Sequence, residues 1–512
     1  MHRTKRSILN VAVMFATNVI ILGTAFLVQR VFISSLGSDY NGINGLFTSI
    51  ISMMSLTDLG IGSAIIYHLY KPAAESDYKT INALLRFYKT SYIIISAVVL
   101  LIGIIIMIFL PYFIGTVKIN DNLYLIFFLF LADCLVSYFL SYKKSLLYAY
   151  QMNYILDGTH FVFYMIQNGA QLFVLYYFNS YVLFLIIKTL SKYIENITIS
   201  FYIKKRYPFT VKKQVNTLDK TIKEDIIIKV KALLFHRLGK LIITGSDSLV
   251  ITGVLGITQM SLFTNYQLII GGITALLNKI FETLTSSVGN FLLDSKKETR
   301  YVIYRNIDFL NFWVFGCAAV VLYTGIQPLM ILWVGEKYLF SKGVLFWLLI
   351  KFYQEGMRAS VITFKDAAGI YYQDRYIPII ESLINIIVSL CLAWKMGIKG
   401  VFLGTVISSI VVYFYSFPKY VCKPLFQMNW NQYVWKTIQH LFVVIGCMHL
   451  AQFGCNQIVG KNLMWNMILS SILSVFIFHF FLFAIYFHSK EMKYFINLVT
   501  KFFRKREEIE NV

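Results

Sequence analysis

Apolar stretches of about twenty residues recur from one end of this 512-residue chain to the other, each long enough to cross a hydrocarbon layer as a helix. A hydrocarbon layer offers the backbone no hydrogen-bonding partners, so every such stretch must satisfy its N–H and C=O groups internally. Only 14% of the residues are charged and 58% are hydrophobic, whereas soluble domains carry roughly 25% charged residues. Lipid is therefore the expected solvent, and no stretch is left over for a soluble domain. The basic start at Arg3, Lys5 and Arg6 precedes an apolar run too long for a signal-peptide core, with no small-residue cleavage site behind it. It is expected to be a retained first helix.

The hydropathy pattern predicts helices over 8–33, 45–70, 91–113, 122–142, 155–178, 181–203, 227–254, 258–292, 303–327, 340–364, 376–396, 399–417, 434–455 and 463–488. The fold class this implies is an all-α polytopic membrane protein of about fourteen transmembrane helices. With the N-terminus placed in the cytoplasm, thirty Lys and Arg fall in inside segments and six fall outside. Basic residues collect on the cytoplasmic side of membrane proteins, so both termini are expected there. All seven prolines fall at or near expected helix ends or in loops, where a missing N–H costs least. The net charge of +22 is thus a matter of membrane topology, and nucleic acid is not an expected partner.

The segment from Leu36, LGSDYNGINGLF, and the segment from Leu255, LGITQMSLFTNY, share a Leu-Gly pair and a small residue five positions later, Gly42 and Ser261. They follow the first and seventh expected helices, as two six-helix repeats would have it. The expected organisation is an N-terminal lobe over 1–206, a cytoplasmic linker over 207–224 and a C-terminal lobe over 225–420. A last helix pair over 421–490 is read as an appendage, and a basic cytoplasmic tail follows over 491–512.

Several charges sit where the bilayer makes them costly. A cation near mid-membrane costs about 2.5–3.5 kcal/mol, so it must face water or a partner. Lys188, Lys192 and Glu195 stand at i, i+4, i+7, and so do Lys351, Glu355 and Arg358. Arg237, Lys240, Thr244 and Asp247 share one face of another helix. Lys279 is a further buried candidate, Arg30 nearly reaches the outer interface, and Lys436 can snorkel to the inner one. Two readings stand: internal salt bridges, or a cationic cavity for an anion such as a phosphate. The three stripes hold six cations against three acids, which favours the cavity. Asp58, Asp133, Glu282, Asp308 and Glu381 are lone acids that can pair with these cations or take a coupling proton or sodium ion.

Other chemistries find little support. The six cysteines are scattered through apolar segments with no C-x-x-C pair, and the eight histidines show no metal-binding spacing. Neither a metal nor a cofactor is expected. A polymerase, ligase or glycosyltransferase of lipid-linked oligosaccharides would want a large external loop, and the external connections are short. The chain is read as a non-enzyme.

Three stretches carry a family likeness. These are Gln29 to Ile65, Gly245 to Ile269, and Gly369 to Ser408 with its Asp374-Arg375-Tyr376, Pro378, Glu381, Asn385 and Gly397/Gly400/Gly404 series. They resemble the Wzx-type polysaccharide flippases of the multidrug/oligosaccharidyl-lipid/polysaccharide (MOP) exporter superfamily. The resemblance implies a V-shaped pair of six-helix lobes around a cationic cavity, plus two C-terminal helices, in a bacterial inner membrane. It further implies undecaprenyl-diphosphate-linked oligosaccharide as cargo and polysaccharide polymerase or assembly proteins as neighbours. On that reading Lys188, Lys192, Arg237, Lys240, Lys279, Lys351, Arg358 and Arg30 are candidate cavity cations. Asp58, Glu195, Asp247, Glu355 and Glu381 are candidate ion-coupling or pairing acids. The nearest alternative is a cation-coupled multidrug or metabolite antiporter of the same superfamily, which would want an acidic pocket.

Overall fold

A computed structural model of the chain describes residues 2–55, 61–114, 119–211, 218–294, 296–457, 462–498 and 500. The described residues are overwhelmingly α-helical, as the absence of backbone partners in lipid requires. The chain divides into two compact units. The first comprises Met1–Leu268 with Pro378–Ile386, and the second Ile269–Ile377 with Ile387–Val512.

The first unit holds α1 (His2–Leu36), α2 (Ser38–Met54), α3 (Ile61–Ala74), α4 (Tyr78–Ile114) and α5 (Leu123–Tyr138). It continues through α6 (Lys144–Ala149), α7 (Asn153–Tyr177), α8 (Tyr181–Arg206) and α9 (Lys220–Val250) into α10 (Ile257–Asp294). Side-chain caps set several of these starts. Asn122 accepts from the backbone of Tyr124 and Leu125 to open α5, Ser180 accepts from Leu183 to open α8, and Asp219 accepts from Thr221 to open α9. The core is aromatic, with Phe32 edge-on to Tyr181 and Phe184, and Phe47 edge-on to Phe127 and Phe130. In lipid the gain from such contacts is dispersion and close packing, because the surrounding tails are as apolar as the rings.

The second unit holds the rest of α10, then α11 (Lys297–Trp333), α12 (Lys342–Ala367), α13 (Ile377–Met396) and α14 (Ile398–Ser408). A π-helical stretch, Val412–Cys422, leads into the short α15 (Lys423–Phe426), followed by α16 (Trp430–Asn456) and α17 (Leu463–Tyr486). Helix α11 is its axis and packs against α12, α16 and α17. The helix pair read from sequence as an appendage is bound to α11 by polar contacts: Trp313 Nε1 donates to His479 Nε2 at 3.0 Å, and Thr324 meets Ser474 at 2.7 Å. Arg305 Nε donates to Glu491 at 2.7 Å just beyond α17.

Among the described residues nine helical segments are long and apolar enough to span a membrane by length and composition. The other five segments expected from sequence are helical as well, but α7, α8, α9 and α12 carry too many polar groups, and the segment expected over 45–70 is divided into α2 and α3. The polar groups that lower the hydropathy of α8 and α12 are the stripe residues themselves. Two prolines depart from expectation: Pro328 lies inside α11, which runs on to Trp333, and Pro418 lies inside the π-helical stretch that follows α14.

The internal repeat has a backbone counterpart. Gly37 ends α1 with φ 91° and Gly256 precedes α10 with φ 88°, a left-handed conformation that costs any other residue a Cβ clash. The two helices that begin there then pack closely within the first unit. A Cβ on Gly42 would run into the Ile257 carbonyl, and Asn41 Nδ2 donates to the Ser261 hydroxyl at 3.0 Å and to Asn265 Oδ1 at 3.1 Å. Gln29 Nε2 closes the cluster on Asn41 and Asn265.

Candidate functional site

In the first unit a charged constellation lies on the face of α8 turned toward α5. Lys188 and Lys192 stand one turn apart, and both reach the same carboxylate oxygen, Asp133 Oδ2 of α5, at 3.7 and 3.2 Å. Lys192 also donates to the Asp133 carbonyl at 3.2 Å, and Lys188 lies 5.1 Å from the Phe130 ring centre. The lysine side chains keep 34% and 36% exposure against 10% for Asp133. The carboxylate is therefore the buried anchor and the cations face outward. One acid cannot neutralise two cations, so this face carries one positive charge in excess.

Glu195, read from sequence as part of the same stripe, turns elsewhere. It is buried and accepts from Lys144 at 3.4 Å and from His160 at 3.2 Å, tying α6 and α7 to α8. The i, i+7 spacing groups it with Lys188 and Lys192, but its partners come from α6 and α7 whereas theirs comes from α5.

In the second unit the stripe on α12 is spread over different surroundings. Lys351 is buried, 3.8 Å from the exposed Glu355, with its ammonium 5.9 Å from the centre of the Phe402 ring. The Arg358 guanidinium lies 5.7 Å from the Tyr413 ring centre. Lys279 forms an exposed i, i+3 pair with Glu282 at 2.8 Å, and Arg30 is exposed.

Asp247 and Glu381 are both buried in the first unit. Nearby, Ser246 Oγ donates to Asn385 Oδ1 at 2.8 Å, so two residues of the third likeness block, Glu381 and Asn385, belong to the core around α9. The side chains of Arg237 and Lys240 lie outside the described residues, and so does Asp58.

Three further polar placements were not read from sequence. Asp308 of α11 pairs with Lys436 of α16 at 2.9 Å and accepts from Ser360 of α12 at 2.8 Å. Lys365 and Asp374, both buried, pair across the turn after α12, where Gly369 adopts φ 67° and Ser416 adds a hydroxyl to Asp374. Lys143, assigned to a cytoplasmic loop, is buried beside α8. Among the described residues no group of three or more His, Cys, Asp or Glu is arranged to hold a metal ion.

The nine long apolar helices and the fold define a class: a multi-pass helical membrane protein with the fold of solved MOP-superfamily transporters. No family model matches the sequence and no curated protein matches it, so the likeness is one of structure. The chain is similar to the lipid II flippase MurJ in an inward closed conformation, with a TM-score of 0.60 and 14% identity over 93% of this chain and 99% of that one. It is similar to the Vibrio cholerae MATE transporter VcmN, with a TM-score of 0.54 and 16% identity over 77% of this chain and 91% of that one. A MOP-superfamily transporter from Pyrococcus furiosus, described as having a binding pocket of reverse polarity, gives a TM-score of 0.52 and 13% identity over 77% and 90%.

Proposed function

We propose that this protein is a flippase that carries an undecaprenyl-diphosphate-linked oligosaccharide from the inner to the outer leaflet of a bacterial cytoplasmic membrane, for surface polysaccharide synthesis. The observation that carries the reading is the α8 face, where two half-exposed lysines share one buried carboxylate. A face with cations outward and its only acid at the bottom attracts an anion, and a diphosphate suits it in charge and hydrogen-bonding capacity. Lys351 and Arg358 on α12 and Arg237 and Lys240 on α9 are proposed to join them.

The wider physical logic agrees. The sugars and diphosphate need a polar route, while the polyprenyl tail stays in lipid. With the cell interior negative, moving a charge of about −2 outward across roughly 100 mV gains about 4–5 kcal/mol. The antiporter alternative requires acids free to take a cation. Asp133, Glu195 and Asp308 are each held by a basic side chain, which weighs against it. That a lipid II flippase shares the fold supports the choice of a lipid-borne cargo.

The test is to delete the gene and measure lipid-linked oligosaccharide with and without a plasmid copy. Accumulation of a complete sugar unit facing the cytoplasm is expected. At equal protein level, Lys192→Ala and Lys188→Ala should each lower export by about ten- to a hundredfold, the worth of a hydrogen bond to a charged group. Normal export in both variants and in Arg358→Ala would overturn the reading. Unchanged lipid pools with altered sensitivity to toxic cations would favour the antiporter.

A further inference from the structure

Helix α5 stops abruptly. Phe139 is extended, Leu140 takes the left-handed conformation at φ 62° although it is not glycine, and a single 3₁₀ turn over Ser141–Lys143 leads into α6. A non-glycine residue in that region is strained, and such strain persists only where the surroundings enforce it. Beyond it Lys143 is buried, while its neighbour Lys144 pairs with Glu195, the carboxylate that His160 also meets.

Lys143 is 8% exposed. Its ammonium donates to Ser200 Oγ of α8 at 2.6 Å, and among the described residues no carboxylate stands within ion-pair distance of it. The charges that bear on it are Lys204 of α8 and Lys89 of α4, both positive and both exposed. The acid on the neighbouring face of α8, Glu195, is already held by two basic groups. A buried cation among cations, with the Ser200 hydroxyl and the Tyr142 ring 5.8 Å away as partners, is poorly compensated, because neither replaces a counterion. An ammonium and a hydroxyl held side by side, with positive charge around them, are donors a phosphate takes up. The position fits as well. Ser200 lies one helical turn before the basic Lys204-Lys205-Arg206 end of α8, where headgroup phosphates meet the Lys/Arg-rich side of the bundle. Phe139 stacks on Tyr193 beside it, and both rings are exposed, as interfacial aromatics beside acyl chains are.

We propose that Lys143 and Ser200, with Lys204 and Lys89 supplying further positive charge, form a binding site for the phosphate group of an anionic lipid at the basic end of the first unit. The site is separate from the Lys188/Lys192 face and does not depend on which cargo the protein carries.

The experiment is native mass spectrometry of the full-length protein released from detergent, titrated in turn with phosphatidylglycerol, phosphatidylcholine and inorganic phosphate. Phosphatidylglycerol is expected to be retained about tenfold better than phosphatidylcholine, with Lys143→Met abolishing the preference and Lys143→Arg keeping part of it. Thermal unfolding without anionic lipid reports whether K143M is folded. If K143M does not fold, the exposed double variant Lys89→Met/Lys204→Met takes its place and should lose several-fold of the preference. Retention of inorganic phosphate as tight as that of phosphatidylglycerol, lost in the same variants, would assign the site to the free ion and overturn the lipid source. A folded variant with undiminished preference, or a parent protein that prefers neither phosphate ligand, would overturn the site itself.

Discussion

Asp308 pairs with Lys436 at 2.9 Å and accepts from Ser360 at 2.8 Å, with His440 stacked on Phe312 close by at 4.0 Å between ring centres. An ion pair this deep is a specificity device more than a source of stability, since desolvation offsets much of its attraction. Removing one partner is another matter. Asp308→Asn is expected to destabilise the protein by about 3–5 kcal/mol, because Lys436 is left buried without its anion. The double variant Asp308→Leu/Lys436→Met should recover most of that loss. Thermal unfolding in one detergent measures both, and an Asp308→Asn protein as stable as the parent would rule out the pairing. Sequence reading had Asp308 as a lone acid and Lys436 as a cation snorkelling to the interface. Helical spacing reveals partners along one helix, and this pair joins two helices far apart in the chain.

At the scale of elements, the paired left-handed glycines Gly37 and Gly256 turn the chain in the same way before α2 and α10. The equivalent small residues behind them let the two helices touch, with Gly42 against Ile257 and Gly45 against Thr264. Gly42→Val is expected to cost about 1–3 kcal/mol by overpacking, because the atom in its way is a backbone carbonyl that no rotamer change can move. A lowered thermal midpoint together with faster proteolysis would register it, and an unchanged midpoint would contradict the packing. Gly400 and Gly404 serve α14 likewise, seating it against Leu392 and Ser389 of α13, so this small-residue pair is used within the chain. Helix positions were readable because lipid imposes a length and an apolar surface on every span. The π-helical continuation through Pro418 was not, since local backbone geometry leaves no hydropathy signature.

At the scale of the whole molecule, hydropathy gave the helical class and the rough extent of each segment. Helical spacing grouped residues along α8 and α12, while their partners, Asp133 for Lys188 and Lys192 and Lys144 with His160 for Glu195, had to come from the three-dimensional arrangement. Asp133 was in view only as an unassigned acid, and Lys143 was hidden in a loop assignment. The Asp133 pairing also bears on how the chain is made. Synthesis runs from the N-terminus, so α5 with its acid enters the bilayer before α8 with its two lysines. On its own α8 is a poor candidate for insertion, since two mid-membrane cations cost about 5–7 kcal/mol. With Asp133 already waiting, α8 has a counterion the moment it leaves the translocon. Asp133→Asn should therefore lower the fraction of chains in which a glycosylation reporter fused after Arg206 finds α8 inserted, while a reporter placed after α5 stays unchanged; equal insertion in both would show that α8 needs no such help. The carboxylate that anchors the proposed transport face would then also serve as a chaperone built into the chain, acting once, during birth.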